Sequence, residues 1–594
     1  WRYFAWNFIG RQNDLYGDGS NIRGGVSTGL SFIDNLVLGS GDDLPDEITN
    51  NKGHNVYYLL PFILGILGIV FQLMRGAQSF WVVFFLFFMT GLAIVMYINQ
   101  TPGQPRERDY AYAGSFYAFA IWIGMGIAGL YYLLQRLKLS SMVSAAIGAV
   151  VAVLIPLQMA GQNWDDHDRS GRTVASDFGY NFLIGCQPNA IIFDFGDNDT
   201  FPLWYAQEIE GVRPDVLVAN LSFLGGEWYV DQMQQQLYDA PPMPHRYMTP
   251  DFYYKNPLSF VQEGALLPLD KALEFAVQSP GYGQSVLPSH QLLLPLDRAM
   301  LAKRYPLLGD SLPGEMLIDL SGSRIVGRDK LAILDLLGAN DWQRPLYWAR
   351  STPINAFANL PNYLTADGMT WRLNPISVVG TPYEEDVEHE YDLVMNKYRW
   401  FGASDPNIYF DENTRNTISG YYRGMLFPSL ANALLAKGDK KRACEVLEKC
   451  FKEINPKAVP YSRNELMLAD VCYKAGLTQR GDEIVSDVMA KYMRKSRWLM
   501  NLAMGGSRLQ KMFFRHYRDG VVDETFSVAR LALQVARSHG SKVVDHEANT
   551  LMGFIQMIYG EESVRGFDQD GAAQPTPQPT DSVLPQEDVD GNTP

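Results

Sequence analysis

Cysteine is almost missing. Only Cys186, Cys444, Cys450 and Cys472 occur in 594 residues, too few and too scattered for a disulfide framework or a zinc site, and silent about redox compartment. Basic charge is also short: 50 Lys and Arg face 65 Asp and Glu, a net charge of −15. A nucleic-acid binder needs a basic face to neutralise phosphates, so that class of partner is excluded. Charged residues make up only 19% of the chain against 47% hydrophobic ones, which excludes global disorder. P-loop, dinucleotide-fingerprint, HExxH and GxSxG motifs are all lacking. No charged n-region, apolar core and cleavage site follow Trp1. The expectation is the C-terminal portion of a longer chain.

What is present falls into unlike halves. Four apolar runs without an acidic residue, 57–74, 78–98, 113–134 and 142–159, approach the ~20 residues needed to cross a bilayer. They predict a helical transmembrane bundle of four spans. Arg75 lies between the first two runs, and Arg136 and Lys138 between the last two. In the loop 99–112, by contrast, Arg106 and Arg108 are offset by Glu107 and Asp109. Positive charge marks cytoplasmic loops, so the termini and the large C-terminal part are expected on the periplasmic side of an inner, cytoplasmic membrane.

The rest reads as a multi-domain protein. Residues 1–56 form an extracytoplasmic segment, 57–162 the spans, 163–417 a periplasmic α/β domain, 418–560 a helical domain and 561–594 a disordered tail. AIIFDF (190–195) predicts a buried strand, 201–210 a helix capped by Asp199 or Thr200, and VLVANL (216–221) the next strand of a parallel sheet. A second helix–strand pair is expected at 330–337, capped by Asp329, and 345–349. From 418 onward the period becomes helical. Leu430, Ala431, Leu434, Gly438, Ala443 and Leu447, with a weaker copy around Gly476 and Gly481, resemble tetratricopeptide repeats. Further helices are expected at 526–538 and 543–559.

Three clusters carry chemistry. Arg106 and Arg108 beside Tyr110 at the outer end of the third span have the fork geometry to grip a lipid-linked phosphate; an Arg–carboxylate network fixing the loop is the plainer alternative. Asp194, Asp197 and Asp199 with Asn198 lie where open α/β sheets place ligands. They are candidate substrate-binding residues or oxygen ligands for a divalent cation; turn and cap duty is the simpler explanation of Asp197, Asn198 and Asp199. Asp165, Asp166 and His167 offer an acid/base or substrate-binding group, or a solvated stretch pairing with Arg169 and Arg172. No residue is assigned as metal ligand or catalytic base.

Longer motifs bear a family resemblance. WRYFAWNFIGRQND (1–14), PRERDYAYAGSF (105–116), NWDDHDRSGR (163–172), FGDNDTFPLWYAQEIEGVRPDV (195–216), YLTADGMTWRLNP (363–375) and MNKYRWFG (395–402) resemble one family of large GT-C-type membrane glycosyltransferases. It includes the animal protein O-mannosyltransferase with lumenal tetratricopeptide repeats and inner-membrane homologues in Gram-negative bacteria. The resemblance implies transfer of a sugar from a polyprenyl-phosphate donor to protein Ser/Thr outside the cytoplasm. Arg106 and Arg108 would then neutralise the donor phosphate. It also implies a catalytic base in an earlier extracytoplasmic loop, outside this sequence. The implied partners are the bilayer, the lipid-linked sugar and acceptor proteins. The triplet Asp581-Ser582-Val583 suits self-modification. Two other classes compete: a membrane-anchored repeat scaffold gathering envelope proteins, and a metal-dependent periplasmic hydrolase built on Asp197, Asp199 and His167.

Overall fold

A computed structural model describes residues 1–15, 23–39, 44–99, 108–278, 284–304, 312–353, 359–378, 386–504 and 507–559. Arg106, the 561–594 tail and the Asp581-Ser582-Val583 triplet lie outside the described residues. The chain divides into two compact units: Trp1–Ser170, Asn407–Ser419 and Pro456–Pro594 form one, Gly171–Pro406 and Gly420–Asn455 the other.

The first unit carries the apolar helices. Among the described residues three are long and apolar enough to cross a membrane: Ala77–Ile98, Tyr110–Arg136 and Ser141–His167. The expected first span is shorter than its apolar run. It is realised as Leu60–Arg75, 16 residues, about 24 Å of helix against a hydrocarbon core of ~30 Å. Its start is delayed because Val56 pairs with Gly10 in a two-stranded ladder and Tyr58 and Leu59 take left-handed conformations. Gly76 ends it.

Glycine lets this short helix cross Tyr110–Arg136 at backbone contact. A Cβ added at Gly68 would stand 1.8 Å from the Trp122 carbonyl oxygen, and one at Gly126 2.1 Å from that of Leu64. Trp122 Nε1 donates to Gln72 Oε1 at 2.7 Å inside the contact, so the one buried amide there is paired.

Polar residues in the last turns of Ser141–His167 hold the chain that precedes the short helix. Gln158 donates to the Val56 carbonyl at 2.6 Å, and Asn163 exchanges hydrogen bonds with the Tyr57 hydroxyl. Nearby, Asp14 accepts from Asn51 and from the Tyr409 hydroxyl, each at 2.5 Å, with Arg415 at 3.3 Å.

Beyond residue 456 this unit contains Leu466–Ala475, Thr478–Met504, Arg508–Ser538 and Asp545–Tyr559. The last two correspond to the segments expected from the sequence, the final helix starting two residues later than expected. The helix expected at 526–538 begins eighteen residues earlier, because Ser507 and Gln510 form a reciprocal capping box at its start.

The second unit is built on a five-stranded mixed sheet. Its strands are β1 Ile191–Asp194, β2 Leu217–Asn220, β3 Leu346–Ala349, β4 Leu364–Asp367 and β5 Thr370–Leu373, in the order β4-β5-β3-β1-β2. The strands β3, β1 and β2 run parallel, as expected; β4 and β5 add an antiparallel hairpin at one edge. All four residues of β1, β2 and β3 are buried, the pattern of strands covered on both faces.

Helix Arg328–Asn340 buries Leu331 to Gly338 without a break, and its Asp335 accepts from the backbone N–H groups of Arg246, Tyr247 and Met248. Its cap differs from expectation: Gly327 is the N-cap and Asp329 lies inside the first turn. Two three-stranded sheets complete the region between β2 and β3. The unit also holds the helix pair Phe427–Ala436 and Lys440–Glu453, joined through Gly438 at φ +79°.

Candidate functional site

The parallel strands converge on a switch in chain direction. The connection leaving β1 leads to β2 on one side. The connection leaving β3 leads to β4 and β5 on the other. Open α/β sheets bind ligands in the crevice that such a divergence leaves at the carboxyl ends of the strands.

Asp194 is the last residue of β1 and Gly196 follows with φ +79°. A side chain resists that conformation, and the space beside Gly196 is open. The turn launches helix Asp197–Glu208, four residues earlier than the hydrophobic pattern predicts. The cause is local: Asp197, Asn198, Asp199 and Thr200 form the first helical turn, and Gly196 rather than Asp199 or Thr200 is the N-cap. Thr200 turns inward, donating its hydroxyl to Asp194 Oδ1 at 2.9 Å and accepting from Asn220 Nδ2 at 2.6 Å. Two residues beyond β3, Ser351 donates to Asp199 Oδ2 at 2.5 Å.

The outcome is two carboxyl groups in unlike states. Asp194 is fully buried and its Oδ2 has no hydrogen-bond partner. Burial, with the charge of Asp199 added, pushes its carboxyl up to about 8. Burial also raises Asp199, to about 6, against the hydrogen bond from Ser351. Asp197 and Asn198 are exposed on the rim. Buried groups titrating near neutrality, set beside exposed polar ones at a switch point, are the arrangement expected of a functional site. Removing the Ser351 hydroxyl should push Asp199 higher still. Carboxylate NMR or infrared titration of Ser351→Ala should show its midpoint above about 6; an unmoved midpoint would disconnect the two residues.

The other expected residues lie in the first unit. Asp166 is buried, accepting from Asn55 Nδ2 at 3.2 Å and lying 2.8 Å from His167 Nδ1, whereas Asp165 and His167 are exposed. The Asn55 contact ties Asp166 to the strand before the short helix. Arg108 is half-buried, with its Nε shielded and without a hydrogen-bond partner, and Tyr110 is exposed. Among the described residues no group of three or more His, Cys, Asp or Glu side chains is arranged to hold a metal ion.

Residues 175–391 match the family model of TMEM260-associated domain 2. The matched stretch lies wholly within the second unit and contains the whole sheet and both carboxyl groups. It is consistent with the resemblance carried by FGDNDTFPLWYAQEIEGVRPDV and YLTADGMTWRLNP. No curated protein and no solved structure matches the chain.

Sequence reasoning missed Ser351 and Asn220, which have no motif of their own. It also missed two buried features of the matched stretch. Arg344 gives its guanidinium to the carbonyls of Asn189, Pro241 and Pro242, and burial holds it down to about 10. Asp367 of β4 lies 3.4 Å from Arg372 and 3.6 Å from His389.

Proposed function

We propose that the chain belongs to a membrane glycosyltransferase that moves a sugar from a polyprenyl-phosphate donor to a protein Ser or Thr hydroxyl outside the cytoplasm. The observation that carries this reading is the match of residues 175–391 to a domain associated with TMEM260, a predicted protein O-mannosyltransferase, directly after three apolar helices. In this reading the helices lie in the inner membrane, the second unit faces the periplasm, and the helix pairs on either side of residue 455 act as tetratricopeptide-like repeats that help present acceptor protein.

The chemistry follows from the bonds exchanged. A carboxylate base takes the hydroxyl proton as the acceptor oxygen attacks the anomeric carbon, and the bond from that carbon to the phosphate oxygen breaks. Negative charge grows on the departing lipid phosphate. Arg108 has an unpaired Nε for it, and Arg106 is two residues away in sequence; fixed cationic donors there favour the transition state over the ground state. Asp197 and Asn198, exposed beside the Asp199–Ser351 pair, contact the acceptor.

The deciding experiment is glycan-sensitive mass spectrometry of envelope proteins from cells with and without the gene. Loss of one Ser/Thr-linked sugar mass from several proteins is expected, and Arg108→Ala should reproduce that loss while the protein still inserts. An unchanged glycoproteome would favour the scaffold. In a transfer assay, the double variant Asp197→Ala/Asn198→Ala should raise KM for acceptor roughly 10-fold, the equivalent of ~1.4 kcal/mol, with kcat preserved. A loss confined to kcat would place these residues at the reacting atoms instead.

A further inference from the structure

The outer face of helix Asp197–Glu208 is apolar where solvent would favour polar residues. Phe201 and Tyr205, one turn apart, are 50% and 45% exposed, and Ile209, just past the helix end, is 70% exposed. The patch continues through a run of rings. Phe201 lies 5.6 Å from Trp204, Trp204 6.3 Å from Phe223, and Phe223 5.9 Å from Trp228, centroid to centroid. Trp228 at the far end is 59% exposed. Contiguous exposed apolar surface of this kind marks a place of interaction.

Covalent connection argues for the partner. Helix Asp197–Glu208 packs on helix Val174–Ile184 so closely that a Cβ at Gly179 would stand 2.1 Å from the Pro202 carbonyl oxygen. Only residues 168–173 separate Val174–Ile184 from the apolar helix Ser141–His167, a link that spans ~20 Å at full extension. The aromatic face is thus one packed helix and one short link from a segment able to cross a bilayer. Its Trp and Tyr are also the residues enriched at headgroup level, and Phe joins Trp on the apolar face of helices that lie in that interface. We propose that this face docks on the surface of the bilayer in which the chain's own apolar helices are embedded. Asp197 and Glu208, exposed on the same helix, keep it at the headgroups and disfavour strongly anionic lipid. The proposal goes beyond the transferase reading and does not need it. If both hold, docking brings the carboxyl ends of β1 and β3 to the level of lipid-linked substrate.

Spin labels test it in the whole chain, reconstituted in nanodiscs of zwitterionic lipid. Labels go on Phe201→Cys and Tyr205→Cys, with Tyr254→Cys as control, a residue of the same unit that is 69% exposed. The unsubstituted chain supplies the background from native cysteines. Labels at 201 and 205 should collide several-fold more with oxygen, relative to a water-soluble nickel chelate, than the label at 254. Equal nickel access at all three would overturn the proposal by leaving the face in water. Shielding from both reagents would also overturn it. A dependence on protein concentration would then assign the face to a second copy, and its absence to another protein surface. The glycoproteome has no bearing on this result, so the two readings fail separately.

Discussion

Gly68→Val should prevent Leu60–Arg75 from packing on Tyr110–Arg136 and destabilise the first unit by several kcal/mol. Small residues let membrane helices approach until backbones touch, and here they have done so. The added Cβ would meet the Trp122 carbonyl oxygen at 1.8 Å, and no rotamer relieves a clash with backbone. Separating the helices also breaks the bond from Trp122 Nε1 to Gln72. Both groups are buried, so each stranded partner costs about 1–3 kcal/mol, in addition to about 1–3 kcal/mol for overpacking. Gly124→Val is the matched control, since nothing lies within 4 Å of a Cβ there and it sits on the partner helix of the same crossing, two residues from Trp122. Thermal unfolding in detergent should show Gly124→Val near wild type and Gly68→Val far below it, or absent from the extracted protein. Equal melting of the two variants would show that the helices do not cross at Gly68.

The second unit should lose stability as pH rises, and Asp194→Asn should remove most of that loss. The folded state holds the Asp194 proton more tightly than an unfolded chain, with about 8 against the ordinary 3.8. A carboxyl raised in this way contributes its full stabilisation below pH ~4 and loses it as pH climbs through about 8. At ~1.4 kcal/mol per pH unit the ceiling is several kcal/mol. Asp199, raised to about 6, adds in the lower part of the same window. Asparagine still accepts from Thr200 and carries no charge. Protection from hydrogen exchange at β1 and β2, corrected for intrinsic rates, should weaken between pH 5 and 9 in wild type and far less in the variant, which keeps only the Asp199 contribution at the lower end. Parallel profiles would show that Asp194 is charged and hydrated at neutral pH.

Much of the local architecture is legible in the chain. AIIFDF and VLVANL are short apolar runs bounded by turn residues, and both form buried parallel strands. Gly438 and Gly476 mark the turns between helices because both take positive φ. Boundaries were harder. The start of helix Asp197–Glu208 lies outside the hydrophobic pattern because polar residues in its first turn look like a loop, and only the Gly196 conformation shows where the helix begins. The short apolar helix is shorter than its apolar run because Tyr57, Tyr58 and Leu59 continue the apolar pattern, while their backbone belongs to a ladder and a left-handed turn.

The site divides along the same line. Sequence alone determined that Asp194, Asp197, Asn198 and Asp199 stand at a strand end, because strand period and turn chemistry are written within a dozen residues. It marks four apolar runs, because hydropathy is a property of one segment, and three of them form helices long enough to cross a membrane. Tertiary structure alone decided that Ser351 meets Asp199 across 152 residues of chain. It also decided that Asp194 is sealed from water, and that glycines on two helices face one another. Burial and contact depend on which distant segments pack together, and that choice is made by the whole chain rather than by any local pattern.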